Sequence, residues 1–453
     1  MTNMVLRGRS MVACSFSRPN ALLPYLLSSF RQGHTHCRQL SHGLNLALAG
    51  KGVIVKDKAF RNLGTSELQE KGAAIVESLS GLPVHVRGNV LGKVSKISYP
   101  HFSKLLKQVT THLSSISDVY VHDGAIGSSL KCSAKVRIIS DSTTPILYLS
   151  KALWQTPSRA ISHDSCPVMI YVASSISPAV VNALRLECQG DNGIIAADVE
   201  HYSLVLCGKA FSDINGAKEA LAMLSGPIIA ARGGLPLSAR LLMSGDSTIL
   251  LFAPEDTSQS FADQLVSADE GVIFSSQGTT PYFPSKNSSC HLSQFRTPAA
   301  VILVTSDSSG TIPSISKLCP GQAAYHFLAG HWNGKFAPAY NTSPSAVNAL
   351  ELAKAFMTKL KDNKIASFLI NVKEGQQSVK ATGSNLFTLM QSALSDDIPP
   401  FHPKGTSIHS YLTCHPKILQ ILMHSMFLGG DLQVKYNSFL SDKFPEIPEE
   451  FSF

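Results

Sequence analysis

The first 56 residues of this 453-residue chain contain no aspartate or glutamate, and Asp57 is the first acid. A later stretch lacks two other residue types: between Gly245 and Gly271 there is neither a glycine nor a lysine. The nine cysteines form no Cys-x-x-Cys pair, which excludes the common zinc and dithiol modules and reads as reduced thiols rather than a disulfide framework. No apolar run reaches the roughly 18 residues that a membrane helix needs. The nearest candidate, "ALLPYLLSSF" (21–30), is short and contains Pro24. No block of five or more Lys/Arg and no RGG run marks a nucleic-acid tract, although the formal net charge is +8. Internal repeats and long low-complexity linkers are also missing.

What is present is ample material for a core: 44% of the residues are hydrophobic and 15% charged, enough for two or three domains. In the acid-free N-terminal segment, Arg7, Arg9, Arg18, Arg31 and Arg38 are spaced among serines and short apolar clusters. Such a segment forms a transient basic amphipathic helix, the physical signature of a mitochondrial presequence. A disordered basic tail or a plastid transit peptide are the other readings; a secretory signal fits worse, because arginines break the apolar part. Cleavage is expected between about residues 30 and 55.

Past residue 57 the pattern is mixed α/β. A helix followed by a short strand is expected over 62–79. Strands are expected over 117–127, 133–142, 166–174, 299–307 and 366–372, where β-branched runs are bounded by polar breakers. Helices are expected over 214–226, ending at a glycine, over 321–332, and over 345–362. In the last, Val347, Leu350, Leu352, Ala353, Phe356 and Leu360 recur at helical spacing. "TILLFAPEDTSQSFADQL" (248–265) starts as a buried strand feeding a turn, the place where a phosphate loop would stand.

One segment is more specific. "ILVTSDSSGTIPSISKLCPGQAAYHFLAGH" (302–331) closely resembles the ATP-dependent phosphoenolpyruvate carboxykinases, with Asp307, Gly310, Pro313, Ser316, Lys317, Leu318, Pro320, Gln322, Tyr325, His326 and Phe327 at the family's places. "RNLGTSELQEKGA" (61–73), "VYVHDGAIG" (119–127), "KVRII" (135–139), "LPL" (235–237) and "HPKIL" (415–419) are similar and collinear, so that the resemblance runs over roughly 60–440. It implies a carboxykinase-like α/β fold: a targeting segment (1–45), a mixed-sheet N-terminal domain (46–240) and a P-loop-kinase-like, nucleotide-binding C-terminal domain (241–453).

The resemblance also implies where the chemistry should sit. Anchored on "TILLF", the family's phosphate loop falls on Ala253, Pro254, Glu255, Asp256, Thr257, Ser258, Gln259 and Ser260. Every glycine is replaced and Gln259 holds the lysine position. Glycines allow the backbone to approach phosphates closely, and the lysine adds a charge-assisted bond. Glu255 and Asp256 would repel a triphosphate by about 4 kcal/mol at about 4 Å and an effective dielectric of about 20. Ser260 is a remaining hydroxyl for Mg²⁺. The loop thus reads as dismantled; if 248–265 was never a phosphate loop, no nucleotide site is left either. Leu82 holds the family's substrate-arginine position, with Gly81 and Pro83 matching. Lys218 is the only lysine near the metal-lysine region, Ser244 marks the metal-histidine region, and Asp269 with Glu270 remains of the second acidic motif, whose first aspartate becomes Ala268 and whose histidine becomes Gly271. A threonine in "QGTTPYFP" (277–284) replaces the arginine that meets the transferred phosphoryl group.

The expectation is therefore a carboxykinase homologue without catalysis, cofactor or metal, because phosphoryl transfer depends on positioned cations. Its expected role is structural: a subunit of a large mitochondrial complex, either a respiratory-chain complex or the mitoribosome, in the matrix or on the matrix side of the inner membrane. Its partners would be the other protein subunits, and rRNA if the complex is ribosomal. The alternatives are a regulatory or ligand-binding partner of an active carboxykinase, and an enzyme with altered chemistry. His402, His409, Cys414, His415 and His424 match no metal module by spacing. His326 and His331 read as packed or surface residues. The sequons at 287–289 and 341–343 would stay unmodified in a mitochondrial protein.

Overall fold

The computed structural model describes residues 43–92, 94–156, 168–177, 193–244, 247–253, 265–267, 271–284, 296–372, 398–403 and 430–453. Two sheets organise them. The first takes β1 (Lys58–Arg61), β2 (Val84–Arg87), β3 (Ser95–Lys96), β4 (Asp118–Ile126), β5 (Ala134–Ser140), β6 (Trp154–Gln155), β7 (Val168–Ala173), β8 (Ile194–Asp198) and β9 (Ser203–Cys207). Their order is β1-β4-β5-β7-β9-β8-β2-β3, with β6 paired to β4. The pairs β4–β5 and β8–β9 are antiparallel, while β5–β7 and β7–β9 are parallel. Every residue of β7, β8 and β9 is buried, as expected for strands covered on both faces.

One face of this sheet is covered by a short helix α1 (43–49) and by α3 (Tyr99–Ser115), which follows the small α2 (Thr65–Glu70). Phe102, Leu105, Val109 and Leu113 of α3 recur at three- and four-residue spacing and enter a core with Leu44, Leu48, Val121, Ile139 and Tyr171. The Ser98 side chain accepts the His101 amide and Pro100 sits in the first turn, so the helix start is fixed by local chemistry. The opposite face is covered by α4 (Thr143–Ser150) and α5 (Ile214–Ala231), through Ile146, Leu149, Leu221 and Leu224.

The second half contains β10 (Leu235–Leu237), β11 (Arg240–Ser244), β12 (Ser247–Phe252), β13 (Leu265–Ser267), β14 (Val272–Ser275), β15 (Gly278–Pro281), β16 (Ala300–Thr305), β17 (Ile315–Leu318), β18 (His331–Trp332), β19 (Lys335–Phe336) and β20 (Ala366–Asn371). A six-stranded sheet runs β13-β11-β12-β16-β20-β17, and β10, β14 and β15 form a separate three-stranded sheet. The central strands β12, β16 and β20 are parallel to one another. Helices α6 (Pro320–Ala329), α7 (Ala349–Asp362) and α8 (Gly430–Lys443) complete this half. Phe252 at the end of β12 meets Phe327 of α6 at 5.2 Å and Phe356 of α7 at 5.6 Å, which ties strand and helices into one core. The fold is thus mixed α/β, with parallel and antiparallel pairing in both large sheets.

Four local expectations change, the first being the helix expected over 321–332, which ends at Ala329, before the strand β18. Of the helix and short strand expected over 62–79, only the helix Thr65–Glu70 forms. Beyond it the backbone is claimed by distant side chains: the Ala74 amide donates to Thr144 Oγ1, the Val76 amide to the Tyr148 hydroxyl, and the Leu79 amide to Ser212 Oγ. The helix expected to stop at Gly226 continues through Pro227 to Ala231, because its apolar face remains buried through Ile228 and Ile229. The helix expected from 345 starts at Ala349, where the Asn348 side chain accepts the Leu350 and Glu351 amides; Val347 precedes it and is partly buried.

Candidate functional site

A cleft of about 1350 Å³ opens between the two large sheets. Its wall includes Leu82, Asp213 and Glu219 from the first half and Arg240, Ala253 and Tyr282 from the second. The volume exceeds the roughly 300–1,000 Å³ of a typical small-molecule site. Two residues singled out from sequence, Leu82 and Ala253, therefore do share one cavity. Of the others, Glu255, Asp256, Ser258, Gln259 and Ser260, and Asp269 with Glu270, lie outside the described residues. Among the described residues no group of three or more His, Cys, Asp or Glu side chains could hold a metal ion.

Asp213 organises the first wall. Its side chain caps α5 by accepting the Gly216 amide at 2.9 Å, and it also accepts the Leu82 amide at 2.9 Å. One buried carboxylate thus pins both a helix start and the segment that carries Leu82. Glu219 stands two turns on in the same helix. Burial, with Asp213 adding to it, pushes its carboxyl above the usual carboxylate range. Lys218, by contrast, is buried with Nζ 5.3 Å from the centre of the Phe283 ring, and Glu219 rather than Lys218 reaches the cleft wall. Ser244 lies on β11 four residues past Arg240, and its side chain is outside the described set.

The second wall holds the cation that sequence reasoning missed. Arg240 opens β11, which pairs antiparallel with β12. Its guanidinium Nη1 donates to the Ala253 carbonyl at 2.5 Å, at the carboxyl end of β12. A positive charge is thereby fixed where a central parallel strand ends, the usual position for ligand contacts in an open α/β sheet. No motif pointed to it, because it is brought there by strand pairing and not by spacing along the chain. Lys335, Asn341 and Lys354 also line the cleft.

The 302–331 segment, the most specific in sequence, is mostly scaffold beside this cleft, which it lines only at Gly330. Asp307 is buried; one carboxylate oxygen accepts the Ser309 amide and hydroxyl, and the other accepts the Ile312 amide. Asn371 on β20 clamps the same turn, donating to the carbonyls of Asp307 and Ile312. Tyr325 donates to Asn437 of α8 at 2.6 Å. His326 and His331 are both packed inside, as expected for one of the two readings offered from sequence. Gly330 ends α6 with φ 57°, and a Cβ there would stand 1.9 Å from the Ala337 carbonyl oxygen, so the position demands glycine.

Residues 281–380 match the family model described as phosphoenolpyruvate carboxykinase. The phosphoenolpyruvate carboxykinase (ATP) of Saccharomyces cerevisiae is 29% identical over 103 residues, 20% of this chain and 18% of that protein. Its counterpart in Flavobacterium johnsoniae is 31% identical over 87 residues, 16% of each chain, and that in Eremothecium gossypii 26% identical over 130 residues, 26% of this chain and 24% of the relative. The match spans about a fifth of the length of these relatives. These findings correct the expectation of a non-enzyme. The proteins similar to this chain are each named for the carboxykinase activity, and the match supplies no ground for a loss of catalysis. The loop on which that loss was argued lies outside the described residues.

Proposed function

Since residues 281–380 tie this chain to the ATP-dependent phosphoenolpyruvate carboxykinase family, we propose that it is a mitochondrial carboxykinase-type protein that receives a small anionic ligand in its central cleft and works as a subunit of a larger assembly. The residues 46–240 and 241–453 act as the two domains that frame the cleft, the second of them kinase-like, and 1–45 acts as the targeting segment. The observation that carries the reading is the Arg240 guanidinium at the mouth of β12, facing a wall that contains Leu82, Asp213 and Glu219. A carboxylate or phosphate of the size of phosphoenolpyruvate or oxaloacetate, the former part of the relatives' names, suits that cation and leaves room for a second group. The assembly is a respiratory-chain complex or the mitoribosome, on the matrix side; large exposed side chains such as Ile75, at 90% exposure, and Leu130, at 65%, suit a surface with protein neighbours.

Thermal denaturation with phosphoenolpyruvate, oxaloacetate and MgATP tests the ligand. At about 100 times its Kd, a ligand adds about 2.7 kcal/mol of stability, a readily measured shift. The expected result is a shift with the small acids that Arg240→Gln abolishes; no shift with any of the three at millimolar concentration overturns the ligand part. Sedimentation of the tagged endogenous protein tests the assembly: migration with a megadalton particle is expected, and migration as a free monomer, or only with an active carboxykinase, overturns it.

A further inference from the structure

The chain has a second acid-free stretch: between Glu77 and Asp118 there is no aspartate or glutamate. This stretch contains α3, and its solvent face is made of His101, Lys104, Lys107, Thr111 and Ser115, while Phe102, Leu105, Val109 and Leu113 point into the core. The cations Lys104 and Lys107 and the His101 ring stand one turn apart on one ridge. The helix is about 25 Å long, from its 17 residues at about 1.5 Å each.

A second strip lies alongside. Gly52 packs against Thr110, the Ile54 amide donates to Ser114 Oγ, and the Lys56 ammonium donates to the Ser115 carbonyl. These contacts lay residues 51–56 along the last turns of α3. Lys51, Ile54 and Lys56 are all exposed there, Ile54 at 67%. On α1, whose Leu44 and Leu48 are buried in the core under α3, Leu46 is 72% exposed. At the other end of the ridge, Tyr99 is 59% exposed. Thus three of the seven large apolar side chains that are exposed among the described residues stand on or beside one basic face. The acids at its border are Asp57 and Asp118, both next to β1, Asp141, whose buried side chain meets His112, and, at the Tyr99 end, Asp198 and Glu200, which are paired with the Arg87 guanidinium stacked on the Tyr99 ring.

We infer that this face docks on an anionic bilayer surface, the lysines of α3 and of 51–56 meeting lipid phosphates and Ile54, Leu46 and Tyr99 entering the headgroup region. The alternation decides the occupant. Cations alone would suit any polyanion, but an RNA backbone gains nothing from protruding aliphatic side chains. An anionic lipid surface rewards both, since its potential attracts the lysines and its acyl boundary takes up the apolar groups. The face belongs to the first sheet and does not depend on the cleft or its ligand.

The test is flotation of the full chain with two kinds of vesicle, phosphatidylcholine alone and phosphatidylcholine with about a third phosphatidylserine. Binding only to the anionic vesicles is expected, weakening as salt is raised. Each lysine near such a surface contributes roughly a fivefold factor, so Lys104→Gln/Lys107→Gln should weaken binding about 25-fold. Ile54→Ser should weaken it as well, with the salt dependence unchanged. All these positions are exposed, and an unaltered melting temperature confirms that the variants fold. Equal binding to neutral vesicles, no binding to anionic ones at low salt, or binding that survives both substitutions overturns the proposal. So does tighter binding to an RNA duplex than to vesicles with Ile54→Ser silent, which would make the face a nucleic-acid surface.

Discussion

Lowering the pH should weaken this fold through one residue in particular, His326. Its side chain is 1% exposed, and neither ring nitrogen has a hydrogen-bond partner among the described residues. The ring is packed among Tyr325, Phe401, Tyr436 and Phe453, with centroid separations of 5.2–5.9 Å. Burial, with His331 contributing, lowers its pKa to about 3. In the unfolded chain the group titrates near 6.5. Below that value the unfolded state binds a proton that the folded state refuses, so the stability that is complete above pH 6.5 is lost as the pH falls towards 3.

Each pH unit in that window costs about 1.4 kcal/mol for one such group, and the loss between pH 7.5 and pH 5 is about 2 kcal/mol. His331 and His122 are also lowered by burial, and each adds in the same direction. The assay is urea unfolding of wild type and His326→Phe at pH 7.5, 6 and 5. Phenylalanine fills the site without a titratable group. Any packing cost of the larger ring shifts the variant equally at every pH, so the difference in pH slope isolates the proton. Wild type should lose about 2 kcal/mol more than the variant between pH 7.5 and 5. Identical slopes in the two proteins would mean that His326 reaches water or a partner in the folded state, and the argument from its burial would fail.

Replacing Gly330 by alanine should destabilise by about 1–3 kcal/mol or more, since the left-handed backbone is strained for alanine and the new Cβ meets the Ala337 carbonyl; chemical denaturation measures it. Asp213→Ala removes the cap of α5 and orphans the Leu82 amide, for a combined cost of about 2–4 kcal/mol, whereas Glu219→Ala on the same helix should be nearly neutral at pH 7 and above. Fused to a fluorescent reporter, residues 1–60 should direct it to mitochondria, and a diffuse cytosolic signal would refute the targeting reading.

The strands were legible because their signal is local. The runs in β4, β5, β7, β16 and β20 are apolar and bounded by breakers, and the structure has them within one or two residues of expectation. Helix α7 was legible for the same reason, apart from its start, where Asn348 supplies a cap that the periodicity runs past. What failed was decided at a distance. The short strand expected at the end of 62–79 does not form, because Thr144, Tyr148 and Ser212 take the backbone amides of Ala74, Val76 and Leu79, and none of these is near in sequence. The most specific motif, 302–331, pointed to the family and is mostly scaffold, reaching the cleft only at Gly330. Its Gly321 is explained only by the C-terminal tail, whose Glu450 carbonyl would lie 1.9 Å from a Cβ there.

The candidate site shows the same division more sharply. The resemblance put Leu82 at a substrate-arginine position and Ala253 at the start of a phosphate loop, and both residues line the cleft. Reading the loop after β12 for a lysine asked only about residues that follow the strand in sequence. Arg240 precedes that strand by a hairpin, and the β11–β12 register carries its guanidinium to the strand's far end. A missing lysine therefore does not by itself remove positive charge from the mouth of β12, because sheet pairing supplies one from the neighbouring strand. That is a physical reason why loss of a motif and loss of a site are different statements, and why Arg240→Gln is the substitution that interrogates this cleft.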